Sequence, residues 1–354
     1  MKNLKRIAAL LLALSMIFAL AACGSSEGSA VAESAPASAA ESATSAAAEA
    51  APAADGEVDV NAALSGKTVG YVTISGAAPW GGLIGTKLVE YVEAAGGTCK
   101  LLDAQTDTAK VAEYCQQMID AAVDALVIFG GDPSANTDIA KSADEAGIPV
   151  FMAALDVAEG GQQYVKACVG PDQEAMAYEI GKYVLDANGA DAGLKVVQIS
   201  GVPFLDDYIQ REAGFKRAME EGNYELMEPD YAYSSRTDAK TFMENHIKAE
   251  GDSINIVMGY DDDLTMGAVA AIEEAGMTDK IKVYSITGQN DAIQAVADGK
   301  MELTVMNRAE DISKEITVAM AEWFTNGQTE YYHYTPLTYI TKDNVQDYIG
   351  KGEF

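Results

Sequence analysis

Apolar, β-branched runs alternate with helix-patterned segments along this chain from residue 68 to residue 341. Residues 68–75 form the first such run, which ends in a Gly-rich loop at 76–82. A helix pattern follows over 83–95, a strand over 98–103, a helix over 107–121 and a strand over 125–129. A helix over 135–146 and a strand over 149–153 complete the series. These strands are apolar nearly throughout, as strands buried on both faces are. Parallel neighbours need a long crossover, and a helix between each pair supplies it. The pattern therefore predicts an α/β fold: a parallel sheet with helices on both faces.

The pattern then restarts, with strands at 163–169, 194–199, 225–233, 254–258, 281–286 and 301–306, helices between them, and a closing strand at 337–341. The two halves echo each other in detail. Thr106 to Lys110 opens one helix, and Thr237 to Lys240 opens another. Each helix leads to an apolar strand that ends in an aspartate, Asp132 in one copy and Asp261 in the other. The helix after each strand ends in Glu-Ala-Gly, at Glu145 to Gly147 and at Glu274 to Gly276. Two similar Rossmann-like lobes facing each other are the simplest construction. Ligands of open parallel sheets sit beyond the carboxyl ends of the strands. Two such edges opposed across a cleft make a solute site that closes by hinge motion.

The N-terminus reads as an export signal over residues 1–22. Lys2, Lys5 and Arg6 precede an apolar stretch at 7–20, shorter than the roughly 20 residues of a membrane span. Leu20, Ala21, Ala22 and Cys23 follow. Residues 24–57 are almost entirely Ala, Ser, Glu, Gly and Pro, without an aromatic. Such a segment buries too little apolar surface to offset its ordering entropy. Residues 23–63 are read as a disordered tether with a reach on the order of 30 Å. The formal net charge of −30 becomes more negative once the signal cations leave. That surface repels nucleic acid and anionic lipid headgroups, which excludes both as partners. Beyond Cys23 the cysteines are Cys99, Cys115 and Cys168, an odd and widely spaced set unlike a disulfide framework. Buried thiols are the simpler reading, with a Cys99–Cys115 bridge as the alternative.

Catalytic signatures are missing. His246 falls within a helix and His333 among tyrosines, and neither ends a strand. No zincin, thioredoxin, hydrolase, P-loop or dinucleotide motif occurs in a useful context. The glycines of 76–82 lack phosphate-loop spacing. No catalytic residue, cofactor or metal ligand is assigned. Asp261, Asp262 and Asp263 open a helix, where capping explains carboxylates; one of them facing the cleft as a hydroxyl acceptor is the sharper reading. Trp80 falls in the first loop after a strand, placed either for lid packing or to stack on the apolar face of a sugar ring. Trp323 reads as core.

At this point the residues resemble a known family. Arg211 to Phe215 is similar to the Arg-x-x-Gly-Phe helix of periplasmic ribose-type binding proteins. Residues 262–268 resemble that family's Asp-Glu-x-Ala-x-Gly-Ala segment, and residues 298–300 its Asp-Gly-Lys turn. The resemblance implies a type I periplasmic binding protein, two Rossmann-like lobes joined by three hinge crossings. By that likeness the crossings fall near Pro171, Asn307 and Thr335. One lobe then takes 64–171 plus 308–335 and the other 172–307 plus 336–354. Separately, residues 20–23 resemble the lipobox of bacterial lipoproteins, which implies lipidation at Cys23. The ribose-type likeness places Trp80 at a stacking aromatic, Arg211 at a ligand-binding Arg, Asp261 at a ligand-binding Asn and Asn307 at a ligand-binding Gln, with Tyr233 near a further aromatic. Two positions depart from the family. Ala153 and Ala154 replace an Asp-Arg pair, with Asp156 two residues on, and Thr287 stands where an Asp is expected. Those losses count against ribose. With Asp132, these residues make up the candidate ligand site.

The expected function is capture of a small polar solute, a monosaccharide first, outside the cytoplasm by a lipid-anchored protein. Delivery would be to an ABC permease and its ATPase. A ligand-presenting sensory protein, or one binding a nucleoside or autoinducer-like ligand, are the alternatives.

Overall fold

In the computed structural model, which describes residues 58–76, 79–203, 205–233 and 235–353, the alternation becomes two sheets. The export signal, Cys23 and most of the tether lie outside those residues. The first lobe contains α1 (Val60–Leu64), β1 (Thr68–Thr73), α2 (Pro79–Ala94), β2 (Thr98–Asp103), α3 (Thr108–Asp120), β3 (Ala125–Phe129), α4 (Pro133–Glu145), β4 (Val150–Ala153) and β5 (Ala167–Gly170). The second contains α5 (Gln173–Asn188), β6 (Lys195–Ser200), α6 (Asp206–Met219), β7 (Glu225–Leu226), β8 (Asp230–Tyr231), α7 (Arg236–Glu250), β9 (Ile254–Gly259), α8 (Asp262–Glu274), β10 (Lys282–Thr287), α9 (Asn290–Ala297) and β11 (Leu303–Asn307). The chain then returns to the first lobe with α10 (Ala309–Asn326) and β12 (Tyr332–Tyr334), and ends in the second with β13 (Leu337–Thr341).

The first sheet runs β12-β5-β4-β3-β1-β2 and is parallel throughout. The second runs β13-β11-β10-β9-β6-β7, with β8 also on β6, and only β13 is antiparallel. The chain passes between sheets after β5, after β11 and after β12. In each sheet the first strand lies inside rather than at an edge, β1 between β2 and β3 and β6 between β7 and β9, so strand order reverses between β1 and β3 and between β6 and β9. At such a switch point the following loops diverge and leave a crevice.

Strand alternation explains the two-sided core. Val69, Tyr71, Val127 and Phe151 share one face with Ile84, Leu88 and Val92 of α2 and Ile312, Ile316 and Met320 of α10. Val72, Leu126, Ile128, Val150 and Met152 face the other way, onto Val111, Cys115 and Met118 of α3 and Ile139, Ala140 and Ala143 of α4. Successive residues point to opposite faces, so a strand covered on both sides must be apolar at every position. In the second lobe two glycines set helix spacing. A Cβ on Gly214 would lie 2.0 Å from the Glu174 carbonyl oxygen, and one on Gly267 would lie 2.2 Å from that of Arg236. They bring α6 against α5 and α8 against α7.

Several elements differ from the sequence expectation. Helix α2 begins at Pro79 rather than at 83, so Trp80 lies in a first helical turn and not in a loop; a proline suits the first helical position. The strand expected at 163–169 shortens to β5, and the one at 225–233 splits into β7 and β8. Strand β12 has no apolar run to announce it. The thiols of Cys99, Cys115 and Cys168 are all free, so the bridge alternative fails; burial pushes Cys99 and Cys115 up to about 12.

Residues 59–63, assigned from sequence to the tether, belong to the fold. Asp59 accepts the Ala62 amide at 3.0 Å and caps α1, and Leu64 is fully buried against the first-lobe core. A capped turn with a buried leucine is part of the domain. Leu64→Ala should lower unfolding free energy by about 2–5 kcal/mol, read by urea denaturation of the purified chain. A loss below about 0.5 kcal/mol would return α1 to the tether.

Candidate functional site

The two switch points face each other. A cavity of about 660 Å³ lies between them, within the range of small-molecule sites. The first lobe lines it with Ser75 after β1, with Trp80, with Thr108 at the start of α3, and with Phe129 to Pro133 after β3. The second lobe lines it with Leu205, Asp207 and Tyr208 after β6, with Asp261 and Asp263 after β9, and with Gln289 after β10. Gln173, the first residue of α5 beyond the first crossing, completes the wall.

Aromatic rings form the first-lobe side. Trp80 meets Phe129 edge to face, with centroids 5.8 Å apart and planes at 68°. The indole N–H donates to the Asn307 backbone oxygen at 3.1 Å. That bond ties the first lobe to the second crossing and fixes the ring, leaving its apolar surface toward the cavity.

Carboxylates and amides form the other side. Asp261 caps α8, accepting the Asp263 amide at 2.8 Å. Burial raises its pKa to about 6, against the opposing pull of Arg211 and of that amide. Arg211 does not line the cavity. It is 3% exposed and stands behind the wall, donating from Nε to Gln173 Oε1 at 2.8 Å and from a terminal nitrogen to the Tyr260 carbonyl at 2.7 Å. The Asp207 carboxylate is 4.0 Å away. With Gln173 Oε1 taken by Arg211, the amide orientation is fixed. Its Nε2, Asp207 Oδ1 and both side-chain atoms of Asn307 are buried with no hydrogen-bond partner among the described residues. Buried polar atoms are nearly always paired, and unpaired ones are costly. A polar solute would satisfy those beside the cavity.

Of the residues singled out from sequence, Trp80, Asp132 and Asp261 line this cavity. Asp132 also caps α4, accepting the Ala135 amide at 2.9 Å. Asn307 and Arg211 stand at its back. Thr287 lies behind it, accepting the Asp262 amide at 3.2 Å. Asp156 lies elsewhere, in a second cavity of about 250 Å³ beside the first and third crossings, where the Tyr331 and Tyr332 hydroxyls donate to it. Tyr233 is 61% exposed and does not line the cavity. Of the aspartate run, Asp261 and Asp263 line it, while Asp262 is fully buried, accepting the Thr304 hydroxyl and the Gln289 amide. Neither histidine contributes: His246 meets Asp230, and His333 lies between Glu315 and Thr329. Among the described residues no cluster is arranged to hold a metal ion.

A family model described as a periplasmic binding protein domain matches residues 69–328. The chain belongs to the periplasmic binding protein family. It is 29% identical over 219 residues to the ribose import binding protein of Bacillus subtilis, covering 62% of this chain and 69% of that one. It is 26% identical to the fructose import binding protein of Bifidobacterium longum, covering 86% and 85%. The periplasmic binding protein of the arabinose ABC transporter of Shewanella sp. ANA-3 superposes with a TM-score of 0.74 at 22% identity, covering 80% of this chain and 95% of that one. The last likeness speaks to fold, and the fold is the two-lobed type I architecture. Family membership places the protein outside the cytoplasm. Among the described residues no helix is long and apolar enough to cross a membrane.

Gln173, Asp207, Tyr208 and Gln289 escaped the sequence reading. Their shared signal is position: each follows a strand end or a crossing by a few residues. Asp261 supplies a test of the wall. Its carboxyl is raised above its ordinary value by burial, so its contribution to stability is greatest below about pH 4 and is lost as pH rises through about 6. Asp261→Asn keeps a capping oxygen and removes that penalty. Relative to wild type, the variant should gain up to about 3 kcal/mol at pH 7 and lose this advantage toward pH 4. Denaturant unfolding across pH reads the difference; an equal gain at both pH values would place Asp261 outside a buried site.

Proposed function

We propose that this chain is a lipid-anchored extracytoplasmic binding protein that captures a small polar solute, a sugar, between its lobes and hands it to an ABC importer. The observation that carries this reading is the cavity itself. It lies where both sheets present their strand-end loops, with an aromatic wall on one side and unpaired polar atoms on the other. Sugars need this combination, since one face of the ring is C–H-rich and its rim is hydroxyl. The relatives named for ribose and fructose import agree with it.

In this reading Trp80 stacks on the ring and Asp261, Asp207 and Asp132 accept hydroxyl protons. Gln173 donates from Nε2, and Arg211 acts through it, holding the amide in place. Asn307 couples the hinge to Trp80. Asp156, Tyr233 and Thr287 take supporting places, at the crossings, the surface and behind the wall. No step of chemistry is assigned: the solute leaves unchanged. Cys23 carries the lipid, ahead of the Ala- and Ser-rich segment.

Binding that draws on both lobes favours the closed form through differential affinity. Trp80→Ala should weaken binding of the solute released from natively purified protein by about 1–3 kcal/mol, or roughly 5- to 150-fold, in calorimetric titration. An unchanged affinity would remove Trp80 from the site. Cys23→Ser should block lipidation, leaving an unprocessed precursor or releasing the protein. A fully processed variant that stays with the membrane would overturn the anchor.

A further inference from the structure

The charges around the cavity do not balance. Four carboxylates line it, Asp132, Asp207, Asp261 and Asp263, and among the described residues no lysine, arginine or histidine does. Asp263 meets the Arg236 guanidinium at 2.7 Å, a cation that also meets Asp291 at 2.9 Å, and Asp132 and Asp261 each accept an amide at a helix N-terminus, where a carboxylate is favoured. Asp207 and Asp261 share the single cation Arg211, which is buried behind them with two of its donors already bonded to Gln173 and Tyr260. Asp207 Oδ1 has no hydrogen-bond partner among the described residues.

Two further observations point the same way. Trp80 and Phe129 bring aromatic rings to the cavity, and ring faces attract cations, as the Tyr208 ring already does with the Arg211 guanidinium 5.6 Å from its centroid. Gln173, itself 3% exposed, keeps an unpartnered Nε2 at this wall, a donor suited to a solute hydroxyl. The wall therefore combines surplus negative charge, aromatic faces and a neutral donor. An acidic solute would be repelled there, and a neutral one would leave Asp207 and Asp261, both half-buried, with one shared counter-charge.

We infer that the cleft selects a solute bearing a protonated nitrogen on a polyhydroxylated body, an amino sugar or aminated cyclitol, over its neutral parent and over sugar acids. This rests on the sugar-capture reading and narrows it. The ammonium lies against Asp207 and Asp261, and the hydroxyls take the Gln173 amide.

Calorimetric titration of the full chain with matched sets tests it. Each set holds an amine (glucosamine, galactosamine or an aminated inositol), its hydroxyl parent and its N-acetyl form, with glucuronate and galacturonate as the acids. At least one amine should bind about tenfold or more tighter than its parent and its N-acetyl form, a difference the size of one charge-assisted hydrogen bond, and the acids should not bind. Asp207→Asn, and separately Asp261→Asn, should bring the ratio of amine to parent affinity down toward one; two variants guard against a folding defect in either. A parent that binds as tightly as its amine would overturn this inference and leave sugar capture standing. An amine preference unchanged in both variants would also overturn it. Binding by no member of any set would overturn the inference, and sugar capture would then be read separately by titration with neutral pentoses and ketohexoses.

Discussion

A parallel strand cannot be joined to its neighbour by a tight turn, and most of this structure follows from that restriction. Each crossover helix returns the chain to the same end of the sheet, so every loop that leaves a strand emerges at one edge. Where strand order reverses, between β1 and β3 and between β6 and β9, those loops part. The three passages between sheets join the two lobes, and the reversal points share one cavity. The site is thus a product of topology before any side chain is considered. Side chains then divide the work unevenly: Trp80 and Phe129 stand on the first lobe beside Asp132, and the amides and the other carboxylates stand on the second beside Tyr208.

Arg211 links the second lobe's wall to the hinge. It projects from α6, reaches the start of α5 through Gln173, and reaches the end of β9 through the Tyr260 carbonyl. The close approach of α6 to α5 depends on Gly214, which has no room for a Cβ. A buried guanidinium with so many bonds is costly to desolvate and costly to unpair, so it persists only where its partners are fixed. Its field also keeps Asp261 from rising further than about 6. On the other side the Trp80 bond to Asn307 makes a similar link, tying a ring of the first lobe to the passage out of β11.

The two-lobe plan was legible because it rests on periodicity and repetition. Strands buried on both faces leave unbroken apolar runs, and the doubled segment ending at Asp132 and Asp261 marked both strand ends that now line the cavity. Trp80 was legible by type but not by element, since its helix begins before the apolar pattern does. Strand β12, three residues among polar neighbours, carries no such signal; its place follows from pairing with β5. Gln173, Asp207 and Gln289 were invisible for another reason. Nothing local distinguishes a polar residue that opens a helix at the surface from one that opens a helix at the cleft. Arg211 shows the reverse limit: a residue marked by its motif lies behind the wall, bonded to Gln173, rather than lining the cavity.

Hydrogen exchange measured with and without the solute released from natively purified protein tests the account most directly. Capture between opposed strand edges predicts simultaneous protection on both lobes, in the segments around Trp80 and Gly130 to Pro133 on one side and around Asp207 and Asp261 on the other. Protection confined to one lobe, or absent from both segments while the solute is bound, would contradict it.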